Sequence, residues 1–72
     1  MKNKEFLKLG YKIKYERGIR KISQLELSLK TGLTTRTISR IECGLIDAKF
    51  STLLKIAQAM DIEITELLNY QL

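Results

Sequence analysis

Histidine, proline and tryptophan are absent from this 72-residue sequence, and cysteine occurs once, at Cys43. Without histidine there is no Ser/His/Asp or Cys/His catalytic arrangement and no His-containing metal site. One cysteine makes neither an internal disulfide nor a zinc site, which points to a reducing cytoplasm. No run of about 20 apolar residues is present to span a membrane. The lysine-bearing start, MKNKEFLKLG, lacks the apolar core of a secretory signal. Carboxylate pairs remain, but a chain this short has little room for an enclosing pocket. Enzymatic chemistry, a metal, a cofactor and a small-molecule ligand are therefore not expected.

What is present is charge, and it is unevenly spread. The net charge is +5, with 44% apolar and 29% charged residues, a globular composition. Residues 1–21 carry eight basic and two acidic side chains, for +6; residues 50–72 carry one and three, for −2. A basic front with a mildly acidic rear suits a polyanion on one face and something else on another. Lys2, Lys4, Lys8, Lys12 and Lys14 are expected to steer the protein toward such a polyanion without choosing a sequence. A lysine-rich helix is more often just a solvated face.

There is no internal repeat, low-complexity stretch or linker, and the chain reads as one domain over 1–72. Helical spacing runs throughout. Phe6, Leu9 and Ile13 predict a first helix over about 4–17, with Gly18 at its end. Ser23 to Glu26 is a capping box, and Ile22 with Leu27 makes a hydrophobic staple for a second helix that Gly32 closes. Thr34 caps a third helix, seated by Ile38 and Ile41 and ending near Gly44. A fourth covers about 48–60, with Phe50, Leu53, Leu54, Ala57 and Met60 on its inner side. A fifth covers about 63–69, with Ile64, Leu67 and Leu68 inward. No segment alternates as a strand does, so the fold class is all-α with five helices.

The stretch from Gln24 to Cys43 has the spacing of a helix-turn-helix. That motif needs a small residue at the helix crossing, a turn glycine and two apolar seats for the second helix. Ser28, Gly32, Ile38 and Ile41 occupy those positions, with Leu27 and Leu33 completing a small core. On the second helix of the pair, Arg36 and Arg40 lie four apart and share a face. Arginine pairs bidentately with guanine O6 and N7, and threonine suits a phosphate oxygen or a base edge. The preceding helix start at Gln24 offers free N–H groups and a positive dipole end to a phosphate.

With these residues in place, the sequence resembles the Cro/C1-type (XRE-like) helix-turn-helix family of phage and bacterial regulators. The resemblance covers about residues 9–68 and is carried by KISQLELS, GLTTRTISRIECG and FSTLLKIAQAMDIEITELL in order. It implies a lambda-repressor-like five-helix domain whose third helix enters the major groove of double-stranded DNA. It further implies that Thr35, Arg36 and Arg40 face base edges, that Thr34 and Thr37 lie near phosphate, and that Gln24 anchors a phosphate. Arg17 and Glu42 match a pair that in the family forms a partly buried salt bridge between the first and third helices.

Several residues depart from that pattern. Ser28 stands for the usual alanine, Thr31 for an apolar residue, and Lys49 and Glu63 for the usual cap serines. Leu25 and Leu29 are apolar at usually polar positions and form an extra stripe against the first helix or a partner. Cys43 takes a place near the DNA backbone, as an incidental residue or a redox sensor. The resulting expectation is a cytoplasmic, sequence-specific DNA-binding regulator, a homodimer on a roughly palindromic operator. Its dimer contacts are sought in the fourth and fifth helices and in Ile46, Tyr70 and Leu72. The alternative is an antitoxin or other interaction module whose main partner is a protein.

Overall fold

Asn3 opens the first helix: its side-chain oxygen accepts the N–H groups of Glu5 at 2.8 Å and Phe6 at 3.3 Å. A computed structural model describes residues 3–69, and over these the chain forms five helices and no strand. They are α1 (Lys4–Ile19), α2 (Gln24–Thr31), α3 (Thr35–Glu42), α4 (Phe50–Ala59) and α5 (Ile64–Leu68). α1 packs on α3 and α5, α2 packs on α3 and α4, and α4 packs on α5. The five largest fully buried side chains are Ile13, Leu27, Ile38, Ile56 and Leu67, one from each helix. Burying such a side chain contributes about 1.5–3 kcal/mol. No helix is therefore held by its own propensity alone, and each packs on two of the others. Among the described residues, no helix is long and apolar enough to cross a membrane.

The motif's local chemistry falls largely where the sequence puts it, but of the capping box only the Ser23 half forms: among the described residues no hydrogen bond returns from the Glu26 side chain to the Ser23 N–H. The Ser23 hydroxyl accepts the Glu26 N–H at 3.0 Å, while Ile22 and Leu27 are both buried. Gly32 adopts φ 79°, where a Cβ is disfavoured, and returns its N–H to the Ser28 carbonyl. The two unusual residues of the turn are fully used. Ser28 donates its hydroxyl to the Leu33 carbonyl, and Thr31 donates to Leu27 and accepts the Leu33 N–H. Lys49 and Glu63 make no side-chain cap hydrogen bond, so α4 and α5 begin without one.

Three expectations need correction here. Gly18 does not end α1, which runs on to Ile19; the reversal comes at Lys21, in the left-handed region at φ 56°. Asp61 does the same between α4 and α5 at φ 58°, so both turns rest on a non-glycine residue. Phe50 is 58% exposed rather than inward, and the completely buried residue of α4 is Ile56. Phe50 is the first residue of its helix, and helical side chains lean toward the N-terminus, so its ring projects past the end of the core. Leu25 and Leu29 do not pack on α1: both point to solvent, at 62% and 77% exposure.

Gly10 sets how closely α1 approaches α3. A Cβ there would run into the carbonyl oxygens of Ile41 and Glu42. The bare α carbon lets α1 lie directly against the C-terminal turn of α3, the helix that bears the two arginines.

Candidate nucleic-acid interface

α3 divides sharply into two faces. Ile38, Ile41 and Glu42 are buried, whereas Thr35, Arg36, Arg40 and Cys43 are exposed. Arg36, Arg40 and Cys43 follow at four and three residues, so they lie along one side. Neither Arg36 nor Arg40 makes a side-chain hydrogen bond or ion pair among the described residues, which leaves both guanidinium groups with every donor available. Two unpaired, adjacent forks on a helix anchored from behind are suited to acceptors that take two parallel hydrogen bonds, such as a guanine edge or a phosphate.

Thr34 and Thr37 are occupied with each other. The Thr34 hydroxyl oxygen accepts the Thr37 N–H at 3.1 Å and donates its own proton to Thr37 Oγ1 at 3.0 Å. Thr34 therefore acts as the cap of α3, and its donor is spent. The Thr37 hydroxyl proton is left to reach outward.

Behind the exposed face lies a charged network. The Arg17 guanidinium grips the Glu42 carboxylate with two bonds, Nε to Oε2 at 2.8 Å and Nη2 to Oε1 at 3.0 Å. Its third nitrogen, Nη1, donates to the Ile22 carbonyl at 2.9 Å. The side chains are 15% and 3% exposed. One arginine thus ties the end of α1 to the α1–α2 turn and to the last turn of α3. Gln24 joins the same carboxylate, its Nε2 donating to Oε1 at 3.1 Å. That contact orients the amide at the start of α2 and leaves its second N–H unused. Gln24, Arg17 and Glu42 meet in one cluster, while Thr35, Arg36 and Arg40 stand apart from it on the outer face.

Another ionic group went unread in the sequence. Glu16 is buried and accepts from Lys12 at one carboxylate oxygen and Arg20 at the other, each at 2.6 Å. The lysine's hydrogen bond is the strongest influence, and with the arginine's it outweighs burial to hold the carboxyl below its ordinary range. Arg20 also donates to the carbonyls of Glu16 and Met60, which fastens α1 to the C-terminal end of α4. Lys12, Glu16 and Arg20 recur every four residues, so their pairing was legible from spacing. Their burial depends on how α4 and α5 pack, which spacing does not carry. Among the described residues no group of histidine, cysteine or carboxylate side chains is placed to hold a metal ion.

The sequence profile of the helix-turn-helix domain matches residues 13–67, most of the chain. The chain belongs to the XRE-type helix-turn-helix family. It is 44% identical over 48 residues to an HTH-type transcriptional regulator of Sinorhizobium fredii, over 67% of this chain and 24% of that one. A second HTH-type regulator, from Methanocaldococcus jannaschii, is 32% identical over 60 residues, covering 83% of this chain and 91% of the relative. The chain thus spans about a quarter of the first relative's length and nine-tenths of the second's. Among solved structures it is similar to the restriction-modification controller protein C.AhdI of Aeromonas hydrophila. The TM-score is 0.88 at 29% identity, covering 90% of this chain and 98% of that one. In this family frame, α2 and α3 with their intervening turn are the helix-turn-helix, and α3 is its second helix.

Proposed function

We propose that this protein is a DNA-binding transcriptional regulator that reads operator DNA as a homodimer, with α3 in the major groove. The observation that carries the reading is the pair of unpaired guanidinium groups, Arg36 and Arg40, on the outer face of a helix clamped from behind. In this arrangement Arg36, Arg40 and Thr35 contact base edges. Thr37 and Gln24 contact phosphate with their remaining donors. Thr34 contributes by fixing the start of α3. The relatives' description as HTH-type transcriptional regulators supports the same class.

The homodimer rests on size and symmetry. One recognition helix reads about one half-site, and two-fold dimers place their helices one DNA turn apart, about 34 Å. The molecule measures 29 × 23 × 22 Å, which lets two copies sit side by side on successive major grooves. Of the expected dimer contacts, Ile46 is partly buried against the protein's own core, and Tyr70 and Leu72 lie outside the described residues. Leu68, expected to face inward, is instead exposed at the end of α5 and offers an apolar side chain for such a contact.

The test is a fluorescence-anisotropy titration on DNA from upstream of the protein's own gene, beside a shuffled duplex, at several salt concentrations. A preference of about a thousandfold or more with dimeric stoichiometry is expected. Equal and steeply salt-dependent binding to both duplexes would reduce the face to a general polyanion surface.

A further inference from the structure

α1 carries two apolar stripes where a surface helix ordinarily has one. The inner stripe puts Ile13 in the core. The outer one, Leu7, Tyr11, Tyr15 and Ile19, recurs every four residues and is 37%, 64%, 57% and 57% exposed. Such spacing makes a single ridge along the helix. Beside the ridge runs a groove of about 660 Å³, walled by these four residues with Lys4 and Lys14, and reaching Glu42 of α3. Lys8 is paired with Glu5 and Lys12 with Glu16, but Lys4 and Lys14 have no carboxylate in ion-pair range among the described residues. An apolar floor is thus flanked by two uncompensated positive charges.

We propose that this groove is the docking site for an acidic amphipathic helix of a partner protein. The partner's apolar residues fill the space along the tyrosines, and its carboxylates meet Lys4 and Lys14. Tyrosine supplies large contact area at low entropic cost, which is why it is enriched in interfaces. Charge disfavours a second copy packing ridge to ridge, because that brings the lysines of one α1 against those of the other. A phosphate backbone is drawn to polar cationic faces rather than to an apolar one. None of Thr35, Arg36 or Arg40 lines the groove, so its occupant would leave these three side chains uncovered. The inference goes beyond DNA binding and does not depend on it.

The probe is a fluorescein-labelled peptide of about 20 residues, about 30 Å as a helix, with leucine at i, i+3, i+4 and i+7 and glutamate on both flanks. It is titrated with the full chain. Binding at about micromolar Kd is expected, weakened about tenfold or more by Lys14→Glu and by the Tyr11→Ser/Tyr15→Ser pair. Circular dichroism checks the fold of each variant, and exposed Lys14 covers the case in which the tyrosine pair misfolds. Duplex DNA affinity is expected to stay unchanged in the Tyr11→Ser/Tyr15→Ser variant. The proposal fails if the peptide does not bind, if a scrambled peptide binds equally, or if the variants leave its affinity intact. A tyrosine-pair variant that instead loses DNA binding makes the ridge a nucleic-acid contact, and one that loses self-association makes it a subunit contact. Either result overturns the proposal.

Discussion

Replacing Arg17 with methionine tests whether the network behind α3 holds the domain together. Glu42 is 3% exposed at its side chain and takes two of its three hydrogen bonds from Arg17. Arg17→Met keeps the aliphatic length but leaves that carboxylate buried with only the Gln24 amide. Removing one partner of a buried pair costs about 3–5 kcal/mol. A domain of this length has only about 4–10 kcal/mol in total, so the variant loses about a third of its stability or more. At about 4–8 °C per kcal/mol, its melting temperature falls by about 12 °C or more. Glu42→Met costs less, about 2 kcal/mol, because the stranded guanidinium can turn to water and keep its bond to Ile22. The double variant is the discriminating one. It removes both charges together and strands only the Ile22 carbonyl and one Gln24 N–H, for about 1–2 kcal/mol. Urea unfolding of all four proteins yields the coupling energy, which should exceed about 2 kcal/mol at unchanged m-value. A coupling below about 1 kcal/mol would mean that the pair behaves as a surface salt bridge, and the clamp would have to be sought elsewhere.

Arg36→Ala and Arg40→Ala each should weaken operator binding by about 1–3 kcal/mol while hardly changing affinity for random DNA; equal losses on both would assign the arginines to phosphate. Glu16 gives a pH signature. Its depressed carboxyl adds stability that is complete above the ordinary glutamate value, about 4.3, and is lost as pH falls through the lower native value. Glu16→Gln should therefore be less stable than the parent at neutral pH and show a flatter acid limb in thermal melts, and an unchanged limb would remove Glu16 from the account. Gly10→Ala should cost about 2 kcal/mol or more, because α1 must back away from the Ile41 and Glu42 carbonyls. A melting temperature within a degree or two of the parent would show that the helices separate without penalty.

The sequence by itself determined the features that depend on neighbours along the chain. The Ser23 and Thr34 caps, the left-handed turn at Gly32 and the seats Ile38 and Ile41 are local choices, set by backbone hydrogen bonding and helical period. So is the shared face of Arg36 and Arg40, since four residues make about one turn. Arg17 and Glu42 were paired only through the family resemblance; they are 25 residues apart, and no local rule joins them. The tertiary structure alone decided which apolar residues face inward. Periodicity marks a stripe but not its edge, so Phe50, expected inward, is exposed at the start of α4, and Ile56, not named in the expected stripe, is fully buried at its middle. α1 shows the same limit more fully. Its inner and outer stripes both repeat at helical spacing, and only packing against α3 and α5 distinguishes Ile13, in the core, from Tyr11 and Tyr15, in water. Burial likewise changed the meaning of Glu16 and Gln24. The first reads as one surface pair among several and becomes a buried anchor. The second reads as a phosphate anchor through the resemblance and is bonded as well to the Glu42 carboxylate of the clamp behind α3.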